Sequence, residues 1–222
     1  LEEYGLWPRP QDLSAPAEVQ GGVDETNQSF DISSVIEASQ AISDEIVLER
    51  LLERLLQLAL TSAGAQRGAL ALSRDRHLHI EAIAGLEEAS TLMCSLALEA
   101  AAGTVPVSVL NYVARTGEAL VLGDAARQEM FAHDAYIRTQ APRSLLCMPI
   151  LYHGRLTALL YLEHRLSGDI FDQQRLKTLR ILAAQAAISI ENAKLYLGLQ
   201  QSEQAYRIRC SAPTTGKGFG AI

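Results

Sequence analysis

The spacing of apolar residues along this chain shows where helices and strands begin. Over residues 46–63 apolar side chains recur at intervals of three and four, which predicts an amphipathic helix. Gly64 follows this helix, and glycine often takes the left-handed conformation just beyond a helix C-terminus. A shorter helix is predicted over 31–41, with Asp31 as its N-cap. Two helices are therefore expected ahead of the first strand.

From about residue 67 apolar and polar residues alternate, which predicts short strands. Two hairpins are expected, one turning at 74–76 and the other at His153-Gly154. In the second strand Leu78, Ile80 and Ala82 are expected on one face, because strand side chains alternate between faces. The predicted strands cover residues 68–73, 77–84, 92–98, 119–122, 145–152 and 156–163.

A helix and an irregular stretch interrupt the strands. Pro106 suits the first turn of a helix that ends at Gly117. Residues 123–142 form a long irregular stretch with one helical turn at 134–139. Strands in the middle and helices at both ends predict an α+β fold with a mainly antiparallel sheet and helices on one face.

The helix predicted over 172–196 has two apolar stripes, although a helix at the rim of a domain needs only one. One stripe can pack on the domain's own sheet and leave the other for a partner helix. We assign the first stripe to a homodimer interface and expect Ala186→Glu or Ile190→Glu to give a folded monomer. The first stripe consists of Leu176, Leu179, Ala183, Ala186, Ile190, Ala193 and Leu197. The second stripe consists of Ile181, Ala184, Ile188 and Leu195.

Composition and charge narrow the classes of function. The chain has 222 residues, of which 48% are hydrophobic and 20% charged, as in folded proteins. A net charge of -7 disfavours binding to nucleic acid or to an anionic membrane surface. No apolar run approaches the roughly 20 residues that span a bilayer, so no membrane insertion is expected. The three cysteines have no paired spacing, which is typical of reduced thiols in a cytoplasmic protein.

Five segments carry a resemblance to a known family. Residues 105–117, 146–150, 158–163 and 185–193 read VPVSVLNYVARTG, LCMPI, ALLYLE and QAAISIENA, and Asp124-Ala125 lies between the first two. In these segments the chain resembles a GAF domain, a small-molecule sensor module related in shape to PAS domains. The lead-in at 39–43 is similar to the version inside large bacterial multidomain kinases, with protein-kinase-like and ATPase-like regions upstream. We therefore expect three parts: a linker or the tail of a preceding domain over 1–30, where prolines and glycines break any helix, the GAF domain over 31–200, and a disordered linker over 201–222.

The resemblance implies a fold and a way of working. A six-stranded antiparallel sheet would carry the N- and C-terminal helices on one face and a ligand pocket on the other. The terminal helices would pair two copies and relay a signal to a histidine kinase or another output domain. A small-molecule ligand and the flanking kinase and output domains are thus the expected partners, besides a second copy of the chain.

The candidate pocket residues lie on the helix that begins at Pro106, in the irregular stretch over 123–142 and on the last two strands. Pockets of this kind are largely apolar with a few polar groups. The same side chains could instead fill the space as core, which would leave a structural dimerisation spacer with no ligand. The candidates are Tyr112, Asp124, Phe131, His133, Tyr136, Cys147 and Tyr161.

This chain lacks the residues that three cofactors known from such modules would need. A bilin attaches to a cysteine that is followed by histidine in the best-known case, whereas Cys94 is followed by Ser95. The Asn-Lys-Phe-Asp-Glu set of cyclic-nucleotide-binding GAF domains is absent. A haem needs a buried histidine, whereas His79 and His133 are expected to be solvated. Bilin, cyclic nucleotide and haem are therefore all disfavoured, and the ligand stays unknown.

Catalysis finds little support among the residues. His77 and His79 share a strand face, yet no third metal ligand is placed beside them. A reductase of the methionine-sulfoxide type, built on the same fold, would need a set of close cysteines, and Cys94 and Cys147 make a poor one. No catalytic residue and no metal ligand are assigned, and the chain is predicted not to be an enzyme.

Overall fold

The computed structural model describes residues 47–85 and 91–211, which form one antiparallel sheet with helices on both faces. The helix predicted over 31–41 and the segments 1–30 and 212–222 lie outside the described residues. The elements are α1 (Leu48–Ala63), β1 (Arg67–Arg74), β2 (His77–Gly85), β3 (Leu92–Ala97), α2 (Val107–Thr116), β4 (Leu120–Leu122), α3 (Ala135–Gln140), β5 (Ser144–Tyr152), β6 (Arg155–His164) and α4 (Gln173–Ser211).

Both predicted hairpins form, and each turns through two residues with positive φ. Asp75 and Arg76 have φ of 49° and 67°, and His153 and Gly154 have φ of 47° and 75°. Two successive positive φ values give the type I′ turn, whose twist matches that of the strands it joins. Gly64, with φ of 62°, ends α1 as predicted. These tight turns set the register of β1 with β2 and of β5 with β6.

The strand order in the sheet is β3-β2-β1-β6-β5-β4, and all neighbours are antiparallel. β1 and β6 are central neighbours, so α1 enters and α4 leaves at the same end of the sheet, and both helices pack on the same face. We call the face covered by α1 and α4 the helix side and the face covered by α2 and α3 the pocket side. Each side has its own buried apolar cluster. The predicted α+β class with a six-stranded antiparallel sheet is confirmed.

A β-bulge at Glu81 changes the expected alternation in β2. Leu70 pairs with Ala82, while its neighbour Ala71 pairs with Ile80, so Glu81 is an extra residue in the strand. Leu78 and Ile80 therefore face the pocket side, whereas Ala82 faces the helix side. The prediction that Ala82 shares their face is wrong, because one inserted residue reverses all later side chains.

α4 packs its first stripe against the chain's own sheet and α1. Six of the seven first-stripe residues are buried there, and only Leu197 is exposed, at 45%. This corrects the assignment of Leu176, Leu179, Ala183, Ala186, Ile190 and Ala193 to a dimer interface, because side chains in the core are not available to a partner helix. The exposed stripe is the second one, with Ile181 at 49%, Ile188 at 47% and Leu195 at 67%.

α4 is longer than its apolar pattern predicts. It runs for 39 residues to Ser211, so the linker predicted to begin at residue 201 starts as helix. At about 1.5 Å per residue it is roughly 58 Å long. Up to residue 203, as far as side-chain exposure is described, the last buried residue of α4 is Ala193, and residues 195–203 are all exposed. Within 47–85 and 91–211, no helix has the length and apolar character to cross a membrane.

Candidate functional site

One carboxylate holds the two helices of the pocket side together. Asp134 Oδ1 accepts hydrogen bonds from the backbone N–H groups of Tyr136 at 2.9 Å and Ile137 at 3.3 Å, which caps the N-terminus of α3. Its Oδ2 accepts from the backbone N–H of Ser108 at 2.9 Å and from the Ser108 hydroxyl at 2.6 Å, in the first turn of α2. The Asp134 side chain therefore links the N-terminal turns of α2 and α3, which also pack on the pocket side of the sheet.

A buried carboxylate, Glu163 at the end of β6, organises the hydrogen bonds beneath α3. Its side chain is fully buried, and both oxygens accept from the Tyr136 hydroxyl, at 2.8 and 2.9 Å. The Tyr161 hydroxyl donates to Oε2 at 2.6 Å, and Arg165 Nε donates to Oε1 at 3.3 Å. A buried charge is tolerated only when it is paired and hydrogen-bonded, and Glu163 meets both conditions.

Arg67 joins a third element to this cluster. Residue 67 is the β1 partner of Glu163 in the sheet, and its Nη1 lies 4.0 Å from Glu163 Oε1. The same nitrogen donates to the Tyr136 hydroxyl and, at 2.9 Å, to the carbonyl oxygen of Thr104 in the loop before α2. We call Arg67, Tyr136, Tyr161, Glu163 and Arg165 the Glu163 cluster. It connects both central strands with α3 and with the loop before α2.

The cluster changes the acidity of its two tyrosines. Burial, reinforced by the negative charge of Glu163, raises the pKa of Tyr136 to about 12. The same two causes, in the same order, raise the pKa of Tyr161 well above its usual value. Both hydroxyls therefore stay protonated at neutral pH and act as hydrogen-bond donors to the carboxylate.

The raised tyrosine pKa values predict a loss of stability at alkaline pH. A tyrosine in the unfolded chain loses its proton near pH 10, whereas folded Tyr136 keeps its proton up to about pH 12. Between these values the folded state binds more protons, so the stabilisation is complete below about pH 10 and declines toward about pH 12. Tyrosinate absorbance is expected to show a late phase that coincides with unfolding and disappears in Tyr136→Phe/Tyr161→Phe. Unchanged absorbance phases in this double variant would contradict the assignment.

The structure brings most of the predicted pocket residues together. Phe131, Tyr136, Cys147 and Tyr161 are all buried in the pocket-side cluster, and half-buried Tyr112 packs against it. The rings of Tyr112 and Phe131 meet edge to face with centroids 5.9 Å apart, and those of Tyr136 and Tyr161 at 6.5 Å. Such pairs are favourable ring geometries. These side chains contact one another as a packed cluster.

Two other pocket candidates, Asp124 and His133, lie outside this packing, and Cys147 lies within it as an unreactive thiol. Asp124 forms an ion pair with Arg127 at 3.2 Å near the surface, where Arg127 is 86% exposed. Burial raises the pKa of the Cys147 thiol, which favours the unreactive thiol form. His133 is exposed, as expected, whereas His79 on β2 is half-buried and its Nδ1 has no hydrogen-bond partner. The expectation that His79 is solvated is therefore wrong for that atom.

The residues that organise the site were not among the predicted ones. Glu163, Arg67 and Asp134 were not predicted as site residues, because each is a polar residue near the end of an element. One signal was present for Glu163, because it lies two residues after Tyr161 in a strand and so shares its buried face. A carboxylate on the buried face of an apolar strand requires partners, and the nearby tyrosines and arginines are of the right type to provide them.

A concave region lies at the end of the central strands opposite to the Glu163 cluster. It is a groove of about 690 Å³ between the turns of the two hairpins, and none of the predicted pocket residues lines it. Arg76, Arg155, Asn111, Glu191 and Lys194 are among the residues that do. Among the described residues, no group of three or more His, Cys, Asp or Glu side chains is placed to hold a metal ion.

Comparison with known proteins places this fold in a family. A model of the GAF domain matches residues 47–190. The chain is 36% identical over 112 residues to the hybrid signal transduction histidine kinase G of Dictyostelium discoideum, a match over 50% of this chain and 3% of that protein. It is 28% identical over 168 residues to the peroxide stress-activated histidine kinase mak3 of Schizosaccharomyces pombe, over 75% of this chain and 7% of that protein. The chain thus corresponds to a small part of each relative.

A solved structure gives the same architecture at low identity. The GAF domain of a phosphoenolpyruvate-protein phosphotransferase from Coxiella burnetii superposes with a TM-score of 0.60, at 17% identity, over 78% of this chain and 99% of that one. At this sequence identity the structural similarity supports a conclusion about the fold only. The family match extends over more than half of the chain and agrees with the observed sheet and helix layers. The chain therefore belongs to the GAF domain family.

Proposed function

We propose that this chain is the sensory or regulatory module of a signal-transduction kinase, and that two copies pair through the second stripe of α4. The kinase context rests on the two histidine kinases that contain a similar segment. The pairing rests on one observation, the exposure of Ile181, Ile188 and Leu195 along one line of a long helix. A contiguous apolar surface of this kind usually marks an interface.

The spacing of the second stripe suits a pair of helices. Ile181, Ile188 and Leu195 follow one another at intervals of seven, and Leu199, exposed at 66%, continues the line four residues later. On a straight α-helix a seven-residue repeat drifts by about 20° per repeat, which a left-handed winding of two helices removes. Pairing would therefore turn all four side chains toward the partner helix. It would also extend the contact beyond the sheet, into the C-terminal part of α4.

The signal that this module receives is proposed to enter on the pocket side. Tyr112, Phe131, Tyr136, Cys147 and Tyr161 are the candidate ligand-binding residues, and their apolar character with a few polar atoms suits such a site. In this structure they pack against one another, so a ligand would need the covering residues to move. The same packing favours the second candidate function, a dimerisation spacer that transmits changes from neighbouring domains and binds nothing itself.

No catalytic step is proposed for the module. A cysteine acts as a nucleophile through its thiolate. Burial, followed by the charge of Glu81, raises the pKa of Cys94, and burial raises that of Cys147. Both described thiols are thus held in the less reactive form, which supports a regulatory role.

The pairing is tested by Ile188→Glu, which is expected to give a folded monomer. Two glutamates would face each other in a helix interface without water, which costs about 2–3 kcal/mol or more of binding free energy. The dissociation constant of the dimer should therefore rise by roughly a hundredfold. Sedimentation velocity measures the association state, and circular dichroism checks that the fold persists. Gln173→Glu adds the same charge at an exposed position before the stripe begins and should remain dimeric. A wild-type chain that is monomeric, or an Ile188→Glu chain that stays dimeric, would exclude this interface.

A further inference from the structure

We propose that the contact between Tyr136 and Glu163 couples the pocket side to the start of α4, and that an aromatic ligand bearing a hydroxyl or amine group acts by taking the place of Tyr136. This inference rests on the proposed regulatory function and names its internal switch. We call residues 123–143, which lie over the pocket side and include α3, the cover segment. Residues 165–172, between β6 and α4, are called the connector.

The cover segment is attached to the connector at its first end and to the last residue of β6, next to the connector, at its other end. At the first end, the backbone N–H of Asp169 donates to the carbonyl oxygen of Gly123 at 3.4 Å. The approach is so close that a Cβ atom at Gly123 would lie 1.8 Å from Asp169 Oδ1, which only glycine avoids. At the other end, the N–H of Arg143 donates to the carbonyl oxygen of His164 at 3.0 Å. A displacement of the cover segment therefore acts on His164 and Asp169, which flank the first half of the connector.

Tyr136 is the central attachment between these two ends. It lies on α3 in the middle of the cover segment, is 1% exposed, and donates to Glu163, two residues before the connector begins. Arg165, the first residue of the connector, donates to the same carboxylate through Nε and, through its backbone N–H, to Gln66 at 2.8 Å. The carboxylate is thus shared by the cover segment and the connector, so loss of one partner changes the hydrogen bonds of the other.

The connector in turn sets the first turn of α4. The N–H of Ile170 donates to the buried Ser144 hydroxyl at 3.1 Å, and its carbonyl oxygen accepts from Arg175 Nη1 at 2.7 Å. The Asp172 carboxylate accepts from the N–H of Arg175 at 2.8 Å and caps the helix. Movement of the connector would therefore shift the cap and the first turn of the helix whose second stripe is proposed to pair.

The chemistry of Glu163 restricts what can replace Tyr136. The carboxylate is fully buried, and a buried carboxylate without donors carries a large desolvation cost. A molecule that displaces Tyr136 must therefore supply a donor as well as fill the space of its ring. Tyr161 and Phe131 offer aromatic walls on the same side. These two requirements together indicate an aromatic molecule with a hydroxyl or amine group.

The first experiment compares peptide-resolved hydrogen exchange in Tyr136→Phe and Tyr161→Phe. Tyr136→Phe keeps the ring and removes the bond that ties the cover segment to Glu163. We expect exchange over 123–143 and over 165–180 to accelerate together, by about tenfold or more. Tyr161→Phe is the matched control, because it removes a 2.6 Å bond to the same carboxylate from within β6 and leaves the cover segment attached. Faster exchange in 123–143 with no change in 165–180 would overturn the coupling.

The second experiment tests the ligand chemistry with Tyr136→Ala, which leaves a space the size of a phenol ring. We expect p-cresol to restore slow exchange in 165–180, because it fills the space and donates to Glu163. Toluene fills the same space but carries no donor, so it should restore little. Equal recovery with both molecules would show that packing alone matters and would refute the role of the hydrogen bond. If Tyr136→Ala does not fold, p-cresol is expected to permit folding at concentrations where toluene does not.

The two proposals fail in different ways. The coupling lies within one chain, so the Tyr136→Phe effect is expected also in the Ile188→Glu background, where pairing is removed. A dimer that survives Ile188→Glu counts against the proposed interface and leaves the exchange result intact. Conversely, normal pairing with no change over 165–180 in Tyr136→Phe counts against the coupling alone.

Discussion

Replacement of Ile190 by glutamate is expected to unfold the domain. Ile190 is fully buried in the helix-side cluster between α4, α1 and the sheet. The change removes a core side chain and places a charge in an apolar environment, so the expected loss is about 4 kcal/mol or more. Domains have about 5–15 kcal/mol of stability in total, so a loss of this size or more leaves the domain marginally stable or unfolded.

The measurement is urea denaturation followed by circular dichroism, with Ile188→Glu as the matched control. Both variants exchange isoleucine for glutamate on the same helix, two residues apart. Ile188 is 47% exposed, so its variant should keep nearly the stability of a wild-type monomer. If the two variants unfold at the same urea concentration, α4 does not pack with the rotation seen here.

Glu163→Leu is expected to destabilise the domain by about 3–5 kcal/mol, since one member of a buried charge network is removed while its partners remain. The hydroxyls of Tyr136 and Tyr161 would lose their acceptor, and Arg67 and Arg165 would lose their counter-charge. Glu163→Gln keeps one acceptor oxygen and a similar volume, so a smaller loss is expected. Thermal and urea unfolding of both variants would measure the difference.

A rescue experiment sharpens this result. In the Glu163→Leu background, Tyr136→Phe and Tyr161→Phe remove the two hydroxyls that have lost their acceptor. Stability should therefore recover in part, although each tyrosine change alone destabilises the wild type. A Glu163→Leu variant within about 1 kcal/mol of wild type, or strictly additive losses in the triple variant, would show that the cluster does not act as a unit.

The helices and strands of this fold could be predicted because the sequence patterns that specify them are local. The period of α1, the two hairpin turns and the short apolar runs of β5 and β6 each depend on residues within a few positions of one another. The family resemblance rests on the same segments and is confirmed by the match over 47–190. Antiparallel pairing followed from short turns, because a tight two-residue loop can only join antiparallel strands.

The features that could not be predicted depend on contacts between distant residues. The bulge at Glu81 exists only in relation to β1, and it alone decides that Ala82 faces the helix side. The Glu163 cluster joins Tyr136 to a carboxylate 27 residues away and Arg67 to a tyrosine 69 residues away. The local pattern places Glu163 on the same strand face as Tyr161, but only the tertiary structure shows which distant donors surround its carboxylate.

The sequence alone was sufficient to predict the family, the helices and strands, and the two apolar stripes on α4. Each of these predictions rests on residue patterns within short segments. Only the tertiary structure decided which stripe is exposed. The two stripes have the same helical spacing, so the rotation of α4 about its axis determines which of them faces the core. That rotation depends on how the connector enters the helix and how α4 packs against α1 and the sheet. Packing of the first stripe leaves the second stripe exposed and makes Ile188, not Ile190, the residue at which to test pairing.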